Sequence, residues 1–96
     1  MKIINIKDYL TIYGQKNVLY DKIKDSYLRG DQILLFIDND TPVSSSFLNS
    51  SIGVFLDNYG LQNFKDTVKF KGAPAQFKRI STYIKDYTKI YLADSI

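Results

Sequence analysis

Two carboxylates lie close together after the most apolar run of the sequence. Asp38 and Asp40 flank Asn39, directly after the nearly continuous apolar residues 32–37. In open α/β sheets ligands bind at the carboxyl ends of the strands, where two such carboxylates can share a Mg²⁺ ion with substrate phosphates. The same residues, followed by Pro42, also form an ordinary turn, and the chain has no Gly-rich phosphate-binding loop. We therefore interpret the segment as a turn and keep a metal-dependent enzyme as the weaker alternative.

Three consecutive serines precede the next apolar segment. Ser44, Ser45 and Ser46 carry hydroxyls, which accept hydrogen bonds from the first N–H groups of a helix. Their small size also suits tight packing of a helix against a sheet. N-capping and packing are the structural interpretation of these residues.

The chemistry of the chain is limited by the residue types that it lacks. There is no Cys, His or Trp, and all ten acidic residues are Asp. Disulfides, zinc fingers, thiol nucleophiles and imidazole-based catalysis are therefore excluded within this chain, and so is a Ser-His-Asp triad. We expect a protein that is not an enzyme and that uses no metal or cofactor.

Positive charge is concentrated late in the chain. Residues 1–64 have a net charge of −1 and residues 65–89 one of +5. In the last predicted helix Lys78, Lys85 and Lys89 share one face, because they are offset by 7 and 11 residues. This basic patch can bind phosphate backbones or an acidic partner, although three lysines on one face are usually only solvated.

The chain is rich in aromatic residues, with eight Tyr and six Phe. A core of this size cannot enclose them all, and exposed Tyr is favoured at interfaces. Tyr83, Tyr87 and Tyr91 recur every four residues. We assign Tyr87 and Tyr91 to the core and Tyr83 to the surface, and we expect association with a second copy or with another protein.

The first half of the chain predicts two strands separated by a helix. Residues 2–6 predict a strand, whereas residues 7–16 fit either a second short strand or a helical turn. Asn17 is a candidate N-cap for a helix that ends at about Leu28, with Gly30 in the usual place after the last turn. Residues 32–37 predict a strand that is covered on both faces, as in the middle of a parallel or mixed sheet.

The second half continues the alternation. The serines begin a helix that ends at Gly60, residues 66–70 predict a short strand, and Pro74 lies near the first position of the last helix. The apolar stripe of that helix comprises Phe77, Ile80, Ile84, Tyr87 and Tyr91. Alternating strands and helices indicate an α/β layer with parallel crossovers, here in a single domain over residues 1–96.

The segment from Ile33 to Ile84 resembles a known family. An apolar strand ends in Asp38, Ser-Ser-Ser-Phe-Leu opens a helix that ends in Tyr59-Gly60, and a strand and a helix follow. This pattern is similar to the STAS-like domain family of bacteria and their mobile elements, which is related to sulphate transporter and anti-sigma-factor antagonist domains. The resemblance implies a small mixed β-sheet of four or five strands with about three helices packed mainly on one side.

The resemblance also implies a function. Relatives are protein-interaction modules without catalysis of their own. In typical anti-sigma-factor antagonists the strand-to-helix turn carries Asp-Ser-Ser-Gly, and a partner kinase with a histidine-kinase-type ATPase fold phosphorylates one of the serines. Ser44 matches that Asp, Ser45 and Ser46 match the serines, and Phe47 matches the Gly, so Ser45 is the first candidate acceptor. The Asp and the Gly themselves are absent here.

A phosphate on this turn has a direct physical consequence. A helix N-terminus carries unsatisfied N–H groups and the positive end of the helix dipole, which stabilise the negative charge of a phosphoserine. The same charge repels an acidic partner surface or recruits one that bears Arg.

Two functions from different classes remain. The first is a non-catalytic regulatory module that docks on a protein partner, such as a histidine-kinase-type ATPase, through Ser44, Ser45, Ser46 and Phe47 and is gated by serine phosphorylation. The alternative is a small basic protein that binds nucleic acid through residues 65–89. We expect a cytoplasmic location and no membrane partner, since no apolar run suffices for a signal peptide or a membrane span.

Overall fold

The computed structural model describes residues 2–10, 18–40 and 43–92, in which strands alternate with helices. The strands are β1 (Lys2–Asn5), β2 (Ile33–Ile37) and β3 (Val68–Gly72). The α-helices are α1 (Lys7–Leu10), α2 (Val18–Arg29), α3 (Ser45–Leu48), α4 (Val54–Thr67) and α5 (Pro74–Tyr87). One π-helical segment, Asn49–Gly53, joins α3 to α4, and a second, Thr88–Leu92, follows α5.

The three strands form one parallel sheet with β2 in the centre. Leu35 of β2 lies between Ile4 of β1 and Phe70 of β3 in the register. Helix α2 connects β1 to β2, and the helical stretch from α3 to α4 connects β2 to β3. These are the parallel crossovers that the alternation of elements predicts.

The expected mixed sheet of four or five strands is not found in the described ranges, which contain three strands, all parallel. Residues 7–10, which fitted a strand or a helical turn, are helical, and the Asn5 side chain accepts a hydrogen bond from the N–H of Lys7 (3.2 Å) at their start. The rest of that ambiguous segment and the predicted N-cap Asn17 lie outside the described residues. There are more helices than the expected three, because α1 is added and a π-helical segment divides α3 from α4.

One face of the sheet carries the core. Three alternate residues of β2 are buried in one cluster with apolar residues of the helices: Ile33, Leu35 and Ile37. On the opposite face Leu34 and Phe36 are half-buried, and Ile3 is 70% exposed. The prediction that residues 32–37 are covered on both faces therefore holds fully for the core face of this central strand and only in part for the face of Leu34 and Phe36. Helices α2, α4 and α5 all contribute buried residues to this one core cluster.

Gly60 breaks the helical stretch where the sequence predicted its end, but a second helical part follows directly. Its backbone (φ 85°, ψ 167°) departs from helical geometry inside α4, after which the helix resumes and ends at Thr67. Glycine adopts such a positive φ without steric cost. Phe64, one turn after the kink, is almost completely buried and fixes the second half of α4 on the core. The strand predicted at residues 66–70 accordingly begins two residues later.

Two predicted helix boundaries are confirmed. Gly30 follows α2 with φ 75°, and its N–H donates to the carbonyl of Tyr27 (3.1 Å). Pro74 is the first residue of α5, where its missing N–H costs no helical hydrogen bond. Over the described ranges, none of the helices combines the length and the apolar character that crossing a bilayer requires.

Candidate interaction site

The serine turn, Ser44–Phe47, follows the loop at the carboxyl end of β2. Ser44 has an extended backbone (φ −79°, ψ 155°) and is the N-cap of α3. Its Oγ accepts a hydrogen bond from the N–H of Phe47 (3.1 Å), and its carbonyl accepts one from the N–H of Leu48 (3.1 Å). The predicted capping role is confirmed for Ser44, whose hydroxyl therefore serves the fold.

Ser45 and Ser46 differ from Ser44 in having no such structural task. Both are exposed in the first turn of α3, and neither hydroxyl is hydrogen-bonded to a residue that the structure describes. Their backbone N–H groups belong to the helix turn that has no intrahelical acceptors. The turn thus presents two hydroxyls and the positive end of a helix to the surroundings.

Phe47 ties the turn to the core. Its ring is half-buried and packs against the core cluster. Its carbonyl accepts hydrogen bonds from Ser51 Oγ (2.8 Å) and Ser50 Oγ (3.1 Å). Ser51 is completely buried, so this small side chain packs inside the protein one turn into the helix. The exposed hydroxyls are therefore held between two structural residues, one on each side.

The π-helical segment behind the turn packs closely on α5. A Cβ atom added to Gly53 would lie 3.1 Å from Tyr83 Oη and 3.2 Å from the ring of Tyr87. The Tyr83 hydroxyl donates to Asn49 Oδ1 in a short hydrogen bond, and the Tyr87 hydroxyl donates to Asp57 Oδ2 (2.7 Å). These contacts were not predicted from the sequence, where a glycine within a helical pattern was the one available signal.

The assignment of the tyrosines needs a correction. Tyr83, predicted at the surface, is half-buried and packs against the core cluster, as Tyr87 does. The reason is that both rings straddle Gly53, which has no side chain to keep them out. The Tyr91 side chain lies outside the described part of the structure.

The carboxylates after β2 have the geometry of a turn. Asp38 Oδ1 accepts a hydrogen bond from the N–H of Asp40 (3.1 Å), and Asp38 Oδ2 lies 3.8 Å from Nζ of Lys7. Gln76 of α5 donates to the carbonyl of Asn39 (3.4 Å), which fastens the loop to the last helix. Among the described residues there is no group of three or more His, Cys, Asp or Glu side chains arranged to hold a metal ion. The geometry is that of an Asx turn.

The basic patch lies on a different element from the serine turn. Lys78 and Lys85 project from α5, and Lys89 projects from the π-helical segment that follows it; all three are exposed. None of them forms an ion pair with a residue in the described ranges. The structure therefore does not combine the two sets of predicted site residues into one constellation.

A groove beside the basic patch was missed by sequence reasoning. It runs between the second half of α4, strand β3 and α5, with Phe77 at its mouth. Phe77 was assigned to the apolar core stripe of the last helix, yet it is 48% exposed. No periodic pattern signals such a groove, because it depends on how far α4 continues beyond Gly60.

Comparison with known proteins places this chain in a family. A family model described as "STAS-like domain of unknown function" matches residues 15–76, about two thirds of the chain, from before α2 to the first turn of α5. The matched segment includes the whole serine turn, the first π-helical segment and two of the three strands. Neither the curated proteins nor the solved structures gave a significant match. With most of its length covered, the chain belongs to the STAS-like domain family DUF4325.

Proposed function

We propose that this chain is a non-catalytic regulatory module that binds a protein partner through the serine turn, and that phosphorylation of Ser45 or Ser46 controls the binding. The observation that carries this proposal is the division of roles within the turn. Ser44 caps the helix and Phe47 is anchored in the core, while the two hydroxyls between them are exposed. A partner or a kinase can reach these hydroxyls without disturbing the fold.

The local electrostatics support a switch that acts on binding rather than on folding. A phosphate adds about −1.5 to −2 charges at neutral pH. On Ser45 or Ser46 it lies beside first-turn N–H groups and the positive end of the helix, both of which favour negative charge. Phosphorylation therefore leaves the helix intact and reverses the local surface potential that a partner meets.

The class of partner follows from the family. Related anti-sigma-factor antagonists are phosphorylated at the corresponding turn by kinases with a histidine-kinase-type ATPase fold. We extend this relationship to the present chain and assign such an ATPase as its partner. The replacement of the motif Asp by Ser44 is compatible with this assignment, because Ser44 retains the capping role that an Asp fulfils equally well.

Tagged capture from the native host tests the proposal. The baits are the wild-type chain, Ser45→Asp, Ser46→Asp and the double variant Ser45→Ala/Ser46→Ala, with nuclease treatment and quantitative mass spectrometry. We expect the wild type and the double alanine variant to recover a nuclease-resistant ATPase of this class. Aspartate at either position is expected to reduce that recovery by about tenfold, because an unfavourable charge at the centre of an interface weakens binding by at least this factor. Phosphopeptide mapping of the wild type is expected to place phosphate on Ser45 or Ser46.

Thr82→Asp is the matched control, because Thr82 is an exposed hydroxyl-bearing residue of α5 that lies outside the serine turn. It is expected to recover the partner as the wild type does. Equal recovery by all baits would refute gating, and the absence of any nuclease-resistant protein would refute docking. Circular dichroism must first show that every bait is folded.

One observation favours a second function. The three lysines of the basic patch are exposed and carry no ion pair with the described residues, which leaves them available to phosphates. Nucleic-acid binding through residues 65–89 is therefore the alternative proposal. Its signature is a steep loss of affinity with salt that disappears when Lys78, Lys85 and Lys89 are replaced.

A further inference from the structure

An apolar groove of about 540 Å³ opens between the second half of α4, strand β3 and α5. Its lining is Leu61, Phe64, Lys65, Val68, Lys69, Phe70, Phe77, Ser81 and Ile84. The ring centroid of Phe70 lies 6.2 Å from that of Phe64 and 5.7 Å from that of Phe77, so three aromatic side chains succeed one another across it. Phe64 is almost completely buried, Phe70 is half-buried and Phe77 is exposed. The groove thus deepens from an exposed ring toward the core.

The groove continues along the whole of β3. A smaller depression of about 270 Å³ shares Phe70 and Phe77 with it and extends past Gly72 to Pro74. Five strand residues span about 17 Å. This length accommodates several consecutive side chains of a bound segment rather than a single small molecule.

Lysines form the rim of the groove on both sides. Lys65 and Lys69 belong to the lining on the side of α4 and β3, and Lys69 Nζ donates to the carbonyl of Lys65 (2.8 Å), which holds this ammonium group at the end of α4. On α5, Lys78 and Lys85 each follow a lining residue by one position, about 100° around the helix. The rim is therefore positively charged.

Two carboxylates near this rim do not cancel its charge. Asp66 is exposed beside Lys65, and one of its oxygens accepts a hydrogen bond from Gln62 (3.0 Å). Asp86 lies two positions after the lining residue Ile84, about 200° around α5, so it faces away from the groove. Four rim lysines against one adjacent carboxylate leave a surplus of positive charge around an apolar surface.

We infer that this apolar groove binds a segment of a partner protein in which apolar side chains are flanked by Asp or Glu. The apolar residues of the segment fill the groove over Phe70 and Phe77, and its carboxylates meet the rim lysines. Nucleic acid fits the groove less well, because bases need exposed ring faces for stacking and only one of the three rings in the lining, that of Phe77, is exposed. The inference does not depend on the serine turn and would survive the failure of the proposed function.

Selection from a displayed library of random 12-residue peptides tests this inference on the full chain. Sorting uses the wild type as target, and the enriched peptides are resynthesised with a fluorophore for anisotropy titration. We expect enrichment of peptides that combine Phe, Leu or Ile with Asp or Glu. Their affinity is expected to fall by about tenfold or more for Phe77→Ala and for the double variant Lys65→Glu/Lys69→Glu.

Matched controls lie on α2, outside the groove. Leu28 is an apolar side chain that is 64% exposed, and Lys22 is a lysine on the same helix. Leu28→Ala and Lys22→Glu are expected to bind the enriched peptides within about twofold of the wild type, since surface changes outside the contact are nearly neutral. Circular dichroism and urea unfolding check that all variants are folded.

Three results would overturn the inference. They are no enrichment above the composition of the library, enrichment of basic peptides, and enriched acidic peptides that bind the groove variants and the controls equally. A labelled 20-mer of deoxythymidine serves as the competing probe. If it binds the chain, loses affinity steeply with salt and is displaced by the peptides, the rim is a nucleic-acid surface and the assignment to a protein segment is wrong.

Discussion

Gly72 lies at the tightest backbone contact that a glycine makes in the described structure. A Cβ atom at this position would lie 2.0 Å from the carbonyl oxygen of Ile37, and the backbone φ of 128° is strained for any other residue. The next residue, Ala73, donates its N–H to the same carbonyl (2.8 Å), so the strand cannot move away without losing a hydrogen bond. Glycine is therefore required here by both conformation and space.

We predict that Gly72→Ala lowers the free energy of unfolding by about 3 kcal/mol or more, because backbone strain and overpacking add. Gly30→Ala is the control, since Gly30 also has a positive φ (75°) but would place its Cβ in open space. It is expected to cost about 1–2 kcal/mol from backbone conformation alone. Urea unfolding measures both values. Equal losses would show that the contact with Ile37 is relieved at little cost.

Ser44 and Ser45 are adjacent residues of one type with different environments. The Ser44 hydroxyl accepts the N–H of Phe47, whereas the Ser45 hydroxyl is exposed. We predict that Ser44→Ala costs about 1 kcal/mol of stability and that Ser44→Asp costs less, because Asp is an equally good cap. Ser45→Ala is expected to change stability by less than about 0.5 kcal/mol. Chemical denaturation of the three variants measures these changes in the free energy of unfolding. If Ser45→Ala lowered it as much as Ser44→Ala does, the division of roles in the turn would be contradicted.

Helix boundaries and kinks show which features of the helices can be predicted from the sequence and which cannot. Gly30 and Pro74 act through local backbone chemistry, so the boundaries that they set could be predicted. Gly60 also breaks the helix where its local signal predicts, but a second helical part follows it, because Phe64 is buried against the core. Packing between distant elements decided that outcome, and no pattern within the segment contains this information.

The π-helical segment after α3 depends on packing in the same way. Gly53 leaves room for Tyr83 and Tyr87 of α5, and π-helical turns occur frequently at functional sites. The sequence revealed the glycine and the tyrosines but not that they meet. The position of α5 behind the serine turn therefore had to come from the structure.

We predict that Gly53→Leu lowers the free energy of unfolding by about 2–3 kcal/mol, because its side chain overpacks the contact with the two tyrosines. Gly53→Ala is expected to stay within about 1 kcal/mol of the wild type, since its gain in helix propensity offsets contacts of 3.1 and 3.2 Å. Ser50→Leu, at an exposed position of the same segment, is the control and is expected to cost only about 0.5–1 kcal/mol, because it loses the exposed hydrogen bond to the Phe47 carbonyl. Tyrosine fluorescence during urea unfolding reports stability and packing together. A Gly53→Leu variant as stable as Ser50→Leu would show that α5 does not pack tightly on this segment.

Across the whole molecule, the sequence predicted the class of fold and the family better than the arrangement of the surface. Strand β2 and the serine-initiated helix are local patterns, and the family match rests on the segment that contains them. The number of strands, the open face of the sheet and the apolar groove depend on contacts between elements far apart in the chain. The serine turn could therefore be found from the sequence, whereas the groove could not.

The distribution of charge and apolar surface leads to a final prediction, which separates the two kinds of partner for the groove. An acidic, apolar peptide is held by screened charges at the rim and by burial of apolar surface, and salt weakens only the first. We predict that its affinity falls by about tenfold between 0.1 and 1 M salt and then levels off, as the Debye length shortens from about 10 Å to about 3 Å. Fluorescence anisotropy is expected to show that Lys65→Glu/Lys69→Glu removes most of this salt dependence, whereas Phe77→Ala weakens binding by a similar factor at every salt concentration.

Nucleic acid binding depends on salt differently, because counterion release lowers its affinity by about 10³-fold or more between 50 and 200 mM salt when six or more phosphates are contacted. Two results together would contradict the prediction: a peptide affinity that falls with salt as steeply as this, and a Phe77→Ala variant that binds as the wild type does at high salt. They would mean that the lysines alone bind the peptide and that the apolar groove contributes nothing.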